Sequence, residues 1–248
     1  MYTENKAKAS KKQLLDDPNV IKDIFTQMIQ ALKFLHSNLI YVWDIKSDNI
    51  LITASGTIKI MDFGLGKNLT KKRVDSKSGK IKNSFTYERL NKHTAPELNP
   101  RSGCGIHTGD SIKPGPPDIF NAGQVLLSMV GMKDYLPYMI RKKKWDRPAF
   151  ESGKKGKIDS FTKLFHQAPE LKNRFETDKY SDGPALLDLL TRMLNFDPEK
   201  RPTPDEILKH EWCATPVTPL PPPSSSNERC KILDAARRSA RREKKSLK

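Results

Sequence analysis

The sequence predicts a mainly α-helical domain carrying one small β-hairpin, and three features of its apolar pattern predict it. Ile21, Ile24, Phe25, Met28, Leu32 and Leu35 recur at three- and four-residue steps, the spacing of one helical stripe turned toward a core. Leu186, Leu187, Leu190, Met193 and Leu194 repeat that pattern late in the chain. Between them, Ile50-Leu51-Ile52 and Thr57-Ile58-Lys59-Ile60 flank Ala54-Ser55-Gly56. Two β-branched runs around a Ser-Gly turn read as a hairpin.

Taken in order, the first helix starts at Pro18 and ends near His36-Ser37-Asn38, where polar residues break the stripe. The hairpin follows over residues 50–60. Residues 64–94 are polar and loop-like, with basic clusters at Lys71-Lys72-Arg73 and over 80–82, and the Gly- and Pro-rich stretch 99–117 is an irregular connection. Residues 120–132 are apolar almost all round, as in a helix buried on most faces. Residues 141–157 are basic and irregular, and 184–196 form the second amphipathic helix. In Thr203-Pro204-Asp205-Glu206 the threonine caps, the proline takes the first helical position and the glutamate reaches back, so a short helix starts there and ends near Trp212. A proline and serine run, 216–226, then reads as an extended linker, with its PxxP spacings favouring a spacer over an SH3-type ligand. The expected organisation is a flexible segment 1–17, a folded domain 18–214, and a linker with a basic disordered tail, 215–248.

At 248 residues, 36% apolar, the chain holds enough apolar side chains for a sizeable core, which excludes wholesale disorder. No apolar run approaches the roughly 20 residues of a membrane span, and the first twenty residues lack the hydrophobic stretch of a secretory signal. A soluble, intracellular chain, cytoplasmic or nuclear and without a membrane partner, is therefore expected. Cys104, Cys213 and Cys230 are far apart with no CxxC pair, which predicts free thiols. The net charge is +16, and residues 229–248 carry +7 of it, so body and tail are both basic. That balance favours anionic partners without choosing among nucleotides, acidic peptides and nucleic acid.

The chemistry is concentrated in one short stretch. The loop after the first helix reads Asp44-Ile45-Lys46-Ser47-Asp48-Asn49, and the hairpin leads on to Asp62-Phe63-Gly64. Phosphoryl transfer from a nucleotide needs a carboxylate to orient the acceptor hydroxyl, a cation to offset phosphoryl charge, and two oxygen ligands for Mg2+. A D-x-K-x-x-N loop joined through a tight hairpin to D-F-G carries all four.

In these residues the chain resembles the C-terminal lobe of eukaryotic Ser/Thr protein kinases, whose catalytic loop and magnesium motif the two segments match. Ala95-Pro96-Glu97 resembles the end of the activation segment, and Asp118-Ile-Phe-Asn-Ala-Gly123 resembles the start of the lobe's central helix. Arg201 resembles the arginine that pairs with the glutamate of A-P-E, and His210-Glu211-Trp212 the closing H-x-W. The likeness runs over residues 21–212. It implies a protein-kinase-like C-lobe and an enzyme that uses ATP and Mg2+ on protein substrates. In that role Asp44 is the catalytic carboxylate, and Lys46 steadies the γ-phosphoryl and favours Ser/Thr over Tyr. Asn49 and Asp62 hold the metal, Leu51 lies beneath the adenine, Glu97 pairs with Arg201, and Asp118 receives backbone hydrogen bonds from the catalytic loop.

The likeness also implies departures. A β-rich N-terminal lobe, with a Gly-rich loop and a V-A-I-K lysine, needs on the order of 70–80 residues ahead of the first helix, and fewer than twenty stand there. A chain of this form is expected to be weak or inactive alone, and the alternative is a catalytically dead kinase-like scaffold. Val42-Trp43 stand where the family has His-Arg, so phosphorylation at Thr86 or Ser84 is expected to have less switching power. Leu90 stands where Ser/Thr kinases usually have a threonine. The run Arg237-Arg238-Ser239-Ala240-Arg241-Arg242 reads as a solvated tail, with nuclear import or nucleic-acid contact as the alternative.

Overall fold

The computed structural model describes residues 17–53, 55–64, 66–68, 77–78, 80–82, 95–98, 111–131, 183–195 and 197–214. The first helix, α1 (Pro18–Ser37), begins where the stripe begins. Asp17 caps it by accepting a hydrogen bond from the Asn19 N–H at 2.9 Å, and a proline opens the first turn, where its missing N–H costs nothing. Strand β1 (Ile40–Tyr41) follows, then a 3-10 turn at Ser47–Asn49 and the hairpin of β2 (Ile50–Ile52) and β3 (Ile58–Ile60). Beyond it are β4 (Lys67–Asn68), β5 (Ile81–Lys82), a 3-10 turn at Pro96–Leu98 and β6 (Ser111–Ile112). The chain then gives α2 (Pro116–Met129), α3 (Gly183–Met193), a 3-10 turn at Pro198–Lys200, α4 (Pro204–Lys209) and α5 (Glu211–Ala214). The strands pair antiparallel in twos: β1 with β4, β2 with β3, and β5 with β6.

The core lies among the helices. Ile21, Phe25, Met28, Ile29 and Leu32 of α1 meet Ile119, Phe120, Ala122 and Leu126 of α2 and Leu186, Leu189, Leu190 and Met193 of α3. Trp212 closes one end, edge-on to Phe25 with ring centroids 5.6 Å apart. α2 and α3 approach closely at Gly123, where a Cβ would lie 3.0 Å from the Leu194 Cδ2 and 3.2 Å from the Met193 Cβ. The hairpin rests on this body through Ile50, Ile52, Ile58 and Ile60.

Four expectations need adjustment. α2 begins at Pro116 rather than residue 120, because two prolines fit a first helical turn. The inner face of α3 uses Leu189, with Leu187 only half-buried. The capping box at Thr203 and Glu206 forms as read, but the segment to Trp212 divides at His210, whose backbone is extended (ψ 141) and whose Nδ1 accepts from the Trp212 N–H. Two-residue strands also run through the stretches read as irregular, since two residues carry no period to detect. Among the described residues no helix is long and apolar enough to cross a membrane. Residues 1–16, 141–157 and 215–248, and with them Ser84, Thr86, Leu90, Cys104 and Cys230, lie outside the described residues.

Candidate active site

The Asp44 loop owes its shape to α2. The Asp118 carboxylate is fully buried and accepts from the backbone N–H groups of Val42 (2.9 Å) and Trp43 (2.6 Å). His36, at the end of α1, is its third partner, with Nε2 2.9 Å from Oδ2. These bonds hold Trp43 at φ 57, a left-handed conformation that costs a bulky side chain about 1–3 kcal/mol. Its indole N–H donates to the Pro114 carbonyl at 2.7 Å, which fixes the ring in a buried slot. Nothing in the one-dimensional pattern announces His36 or the Trp43–Pro114 bond, because both are contacts between distant segments.

That framework delivers Asp44, itself 7% exposed, to the loop's inner edge. Its Oδ2 accepts from the Lys46 ammonium and from the Asn49 Nδ2 at 3.1 Å, and Nδ2 also donates to the Asp44 carbonyl at 3.0 Å. With its NH2 end so occupied, Asn49 presents Oδ1, which has no hydrogen bond among the described residues. Asp44, Lys46 and Asn49 thus form one mutually oriented group.

The hairpin returns the chain from Asn49 to Asp62. Ile50 pairs with Ile60, and the ladder runs one step further, with the Met61 N–H donating to the Asn49 carbonyl at 2.8 Å. Asp62 therefore leaves the hairpin beside Asn49. It is exposed, sits at φ 60, and accepts from the Gly64 N–H at 3.0 Å. A Cβ at residue 64 would lie 2.9 Å from the Asp62 Oδ1, so glycine is what lets that carboxylate keep its place. Leu51, half-buried, alternates with the core-facing Ile50 and Ile52 and so lies on the hairpin's other face. Phe63 is 44% exposed.

Behind the site, Glu97 and Arg201 make a buried fork with bonds of 2.5 and 2.8 Å. Arg201 also donates to the carbonyls of Asn195 (2.6 Å) and Pro116 (3.0 Å) and stacks over Phe120. Tyr41 lies against His36, ring centroids 4.9 Å apart, and burial followed by the charge of Asp118 raises its pKa. A cavity of about 680 Å³ opens elsewhere, bordered by His36, Lys113, Arg192, Lys209 and His210 but by none of the five site residues.

The donor set suits Mg2+. The Asn49 Oδ1 and the Asp62 carboxylate are hard oxygen donors on adjacent pieces of backbone, and Mg2+ is usually held by one or two protein oxygens with phosphate and water completing the shell. Among the described residues no group of three or more His, Cys, Asp or Glu converges as a metal cage, which such a shared site does not need.

Comparison with known proteins shows the family. The protein kinase domain matches residues 2–213, a span that begins ahead of α1. The chain is 30% identical over 200 residues to "Probable serine/threonine-protein kinase glkA" of Dictyostelium discoideum, covering 78% of this chain and 39% of that one. It is 30% identical to CBL-interacting serine/threonine-protein kinase 13 of Arabidopsis thaliana, covering 76% and 30%. Against mitogen-activated protein kinase homolog NTF3 of Nicotiana tabacum it is again 30% identical, covering 75% and 48%. The chain thus spans between about a third and a half of the length of these relatives.

Proposed function

The chain belongs to the protein kinase family, and from that premise we propose that it serves transfer of the ATP γ-phosphate to Ser or Thr hydroxyls of protein substrates. The observation that supports this reading is the bond from the Met61 N–H to the Asn49 carbonyl, which brings the backbone leading into Asp62 alongside Asn49, whose side chain bonds Asp44. Mg2+ would offset negative charge on the phosphates when bound. The Asn49 Oδ1 and the Asp62 carboxylate would hold it. The Asp44 carboxylate orients the acceptor hydroxyl and takes its proton, and the bonds from Lys46 and Asn49 keep it aimed. The Lys46 ammonium offsets negative charge on the transferred group. Leu51 offers an apolar face to the adenine.

These elements correspond to the C-terminal-lobe half of a kinase site. Positioning with water exclusion supplies most of the rate in such reactions. The exposed Phe63 and the buried Trp43 in the family's arginine position favour a second reading, a kinase-like scaffold without turnover. Incubation with MgATP and a generic basic protein, with and without a supplied N-terminal lobe, separates the two. Transfer should appear with the lobe present and fall at least about 100-fold in Asp44→Asn. Equal incorporation by the variant would overturn the role of Asp44, and absence of both transfer and nucleotide binding would favour the scaffold. A cytoplasmic or nuclear location, and import or nucleic-acid contact through the basic tail, belong to the same proposal. Nucleic-acid binding that survives deletion of residues 227–248 would remove the tail from it.

A further inference from the structure

We propose that Gln27 is a positioning residue for the candidate metal site, acting from the opposite end of the hairpin; this rests on the kinase reading above. Gln27 lies on α1, and all three of its side-chain hydrogen bonds are defined. Its Oε1 accepts from the Ile58 N–H at 3.0 Å. Its Nε2 donates to the Gly56 carbonyl at 3.1 Å and to the Asp23 Oδ2 at 3.0 Å. The Gly56 carbonyl and the Ile58 N–H flank Thr57 and are the acceptor and donor that a neighbouring strand would use. The primary amide of Gln27 therefore substitutes for the N–H and C=O of one residue of a third strand. The side-chain amides of Asn and Gln set a donor and an acceptor side by side in one planar group, and Asn is a methylene shorter. Asp23, one helical turn earlier, fixes which way the amide faces.

The hairpin needs such an anchor. Each strand has three residues, and a two-stranded hairpin of that size is marginal in water. Four isoleucines press it on the core, but apolar contact is non-directional and tolerates sliding and tilt. Besides the bonds between its own strands and within its turn, the hairpin is held directionally at the turn by the Gln27 amide and closes at its mouth with the bond from Met61 to Asn49. A hairpin about 10 Å long transmits rotation at one end to the other. Loss of the amide at the turn therefore loosens the mouth, where Asn49 and Asp62 must keep their spacing. Gln27 touches no substrate and no reacting atom.

The test is amide hydrogen exchange on the whole chain together with the dissociation constant for MgATP, in the wild type, Gln27→Leu and Gln27→Glu. The Ile58 amide loses its own partner in Gln27→Leu and exchanges faster on any view. The Met61 amide discriminates, and its exchange should rise roughly tenfold, the value of one net hydrogen bond felt at a distance. MgATP binding should weaken several-fold, and the same substitution made in an Asp62→Asn background should add nothing. Gln27→Glu keeps the acceptor for the Ile58 N–H but sets its other oxygen against the Gly56 carbonyl and the Asp23 carboxylate, so it should show the same direction, and it serves if Gln27→Leu does not fold. Faster exchange at Ile58 with Met61 unchanged overturns the proposal, as does an undiminished effect of Gln27→Leu on nucleotide binding without Asp62. A wild type that binds no nucleotide while Met61 still responds would uphold the positioning and sink the kinase reading instead.

Discussion

The helical body and the loop region that carries the candidate site are built on different terms. α1, α2 and α3 bury apolar faces against one another, and their order comes from close packing of many small contacts. The stretch from Ile40 to Gly64 has strands of two and three residues and two non-glycine residues at positive φ, Trp43 and Asp62. Its order is borrowed, from Asp118 and His36 beneath the loop and from Gln27 beside the turn. Body substitutions should therefore move stability, and loop substitutions should move binding with stability nearly untouched.

The largest stability effect is expected at the buried fork. Replacing Arg201 by Ala strands the Glu97 carboxylate and should cost about 3–5 kcal/mol, read as a fall in the urea midpoint. Asp118→Asn sits where the two regions meet, since it removes a charged acceptor from two backbone N–H groups and a histidine. It should cost about 2–3 kcal/mol and speed exchange at the Val42 and Trp43 amides. If those amides stay protected, the loop does not depend on α2 for its shape.

Two glycines give the sharpest contrast at smaller size. Gly123→Ala pushes a methyl against Leu194 and Met193 close to their backbones, and overpacking of 1–3 kcal/mol outweighs the helix propensity gained, for a net loss of about 1 kcal/mol. Gly64→Ala meets only the tip of Asp62, so thermal melting should hold while MgATP binding weakens. A reversed pattern, with Gly64→Ala unstable and Gly123→Ala silent, would erase the distinction.

The smallest expected effect is alkaline. Burial pushes the Cys213 thiol up to about 12 from an ordinary 9.0, and burial with the Asp118 charge raises the Tyr41 hydroxyl above its ordinary 10.0. The fold favours both neutral forms, so their contribution is complete below about pH 9 and is lost as pH rises through the range up to about 12. Urea midpoints measured at pH 8 and pH 10.5 should fall, and Cys213→Ala should flatten part of that slope. At pH 8 Cys213 should also resist alkylation, because almost none of it is thiolate.

The sequence made the body legible because a stripe of Ile21, Phe25, Met28 and Leu32 has a period, and Thr203 with Glu206 has a local capping chemistry. The candidate site was legible as a string, Asp44-x-Lys46-x-x-Asn49 and Asp62-Phe63-Gly64, whose spacing matches a chemical need. What holds that string in place was mostly not. Asp118 came with the family resemblance, but the bonds from His36 to Asp118, from Trp43 to Pro114 and from Gln27 to the hairpin turn span distances along the chain that no local pattern records. The two-residue strands escaped for a simpler reason, having no periodicity to read. The division of α4 from α5 at His210 depends on one ψ angle, which residue identities leave open.

The decisive measurement is MgATP binding by the wild type and by Asp62→Asn, followed calorimetrically alongside each protein's melting temperature. Asp62→Asn should melt within about 2 °C of the wild type, as surface changes of this size do, and should lose Mg2+-dependent binding. Unchanged affinity in Asp62→Asn, at equal stability, would contradict a metal-nucleotide site at the mouth of the hairpin.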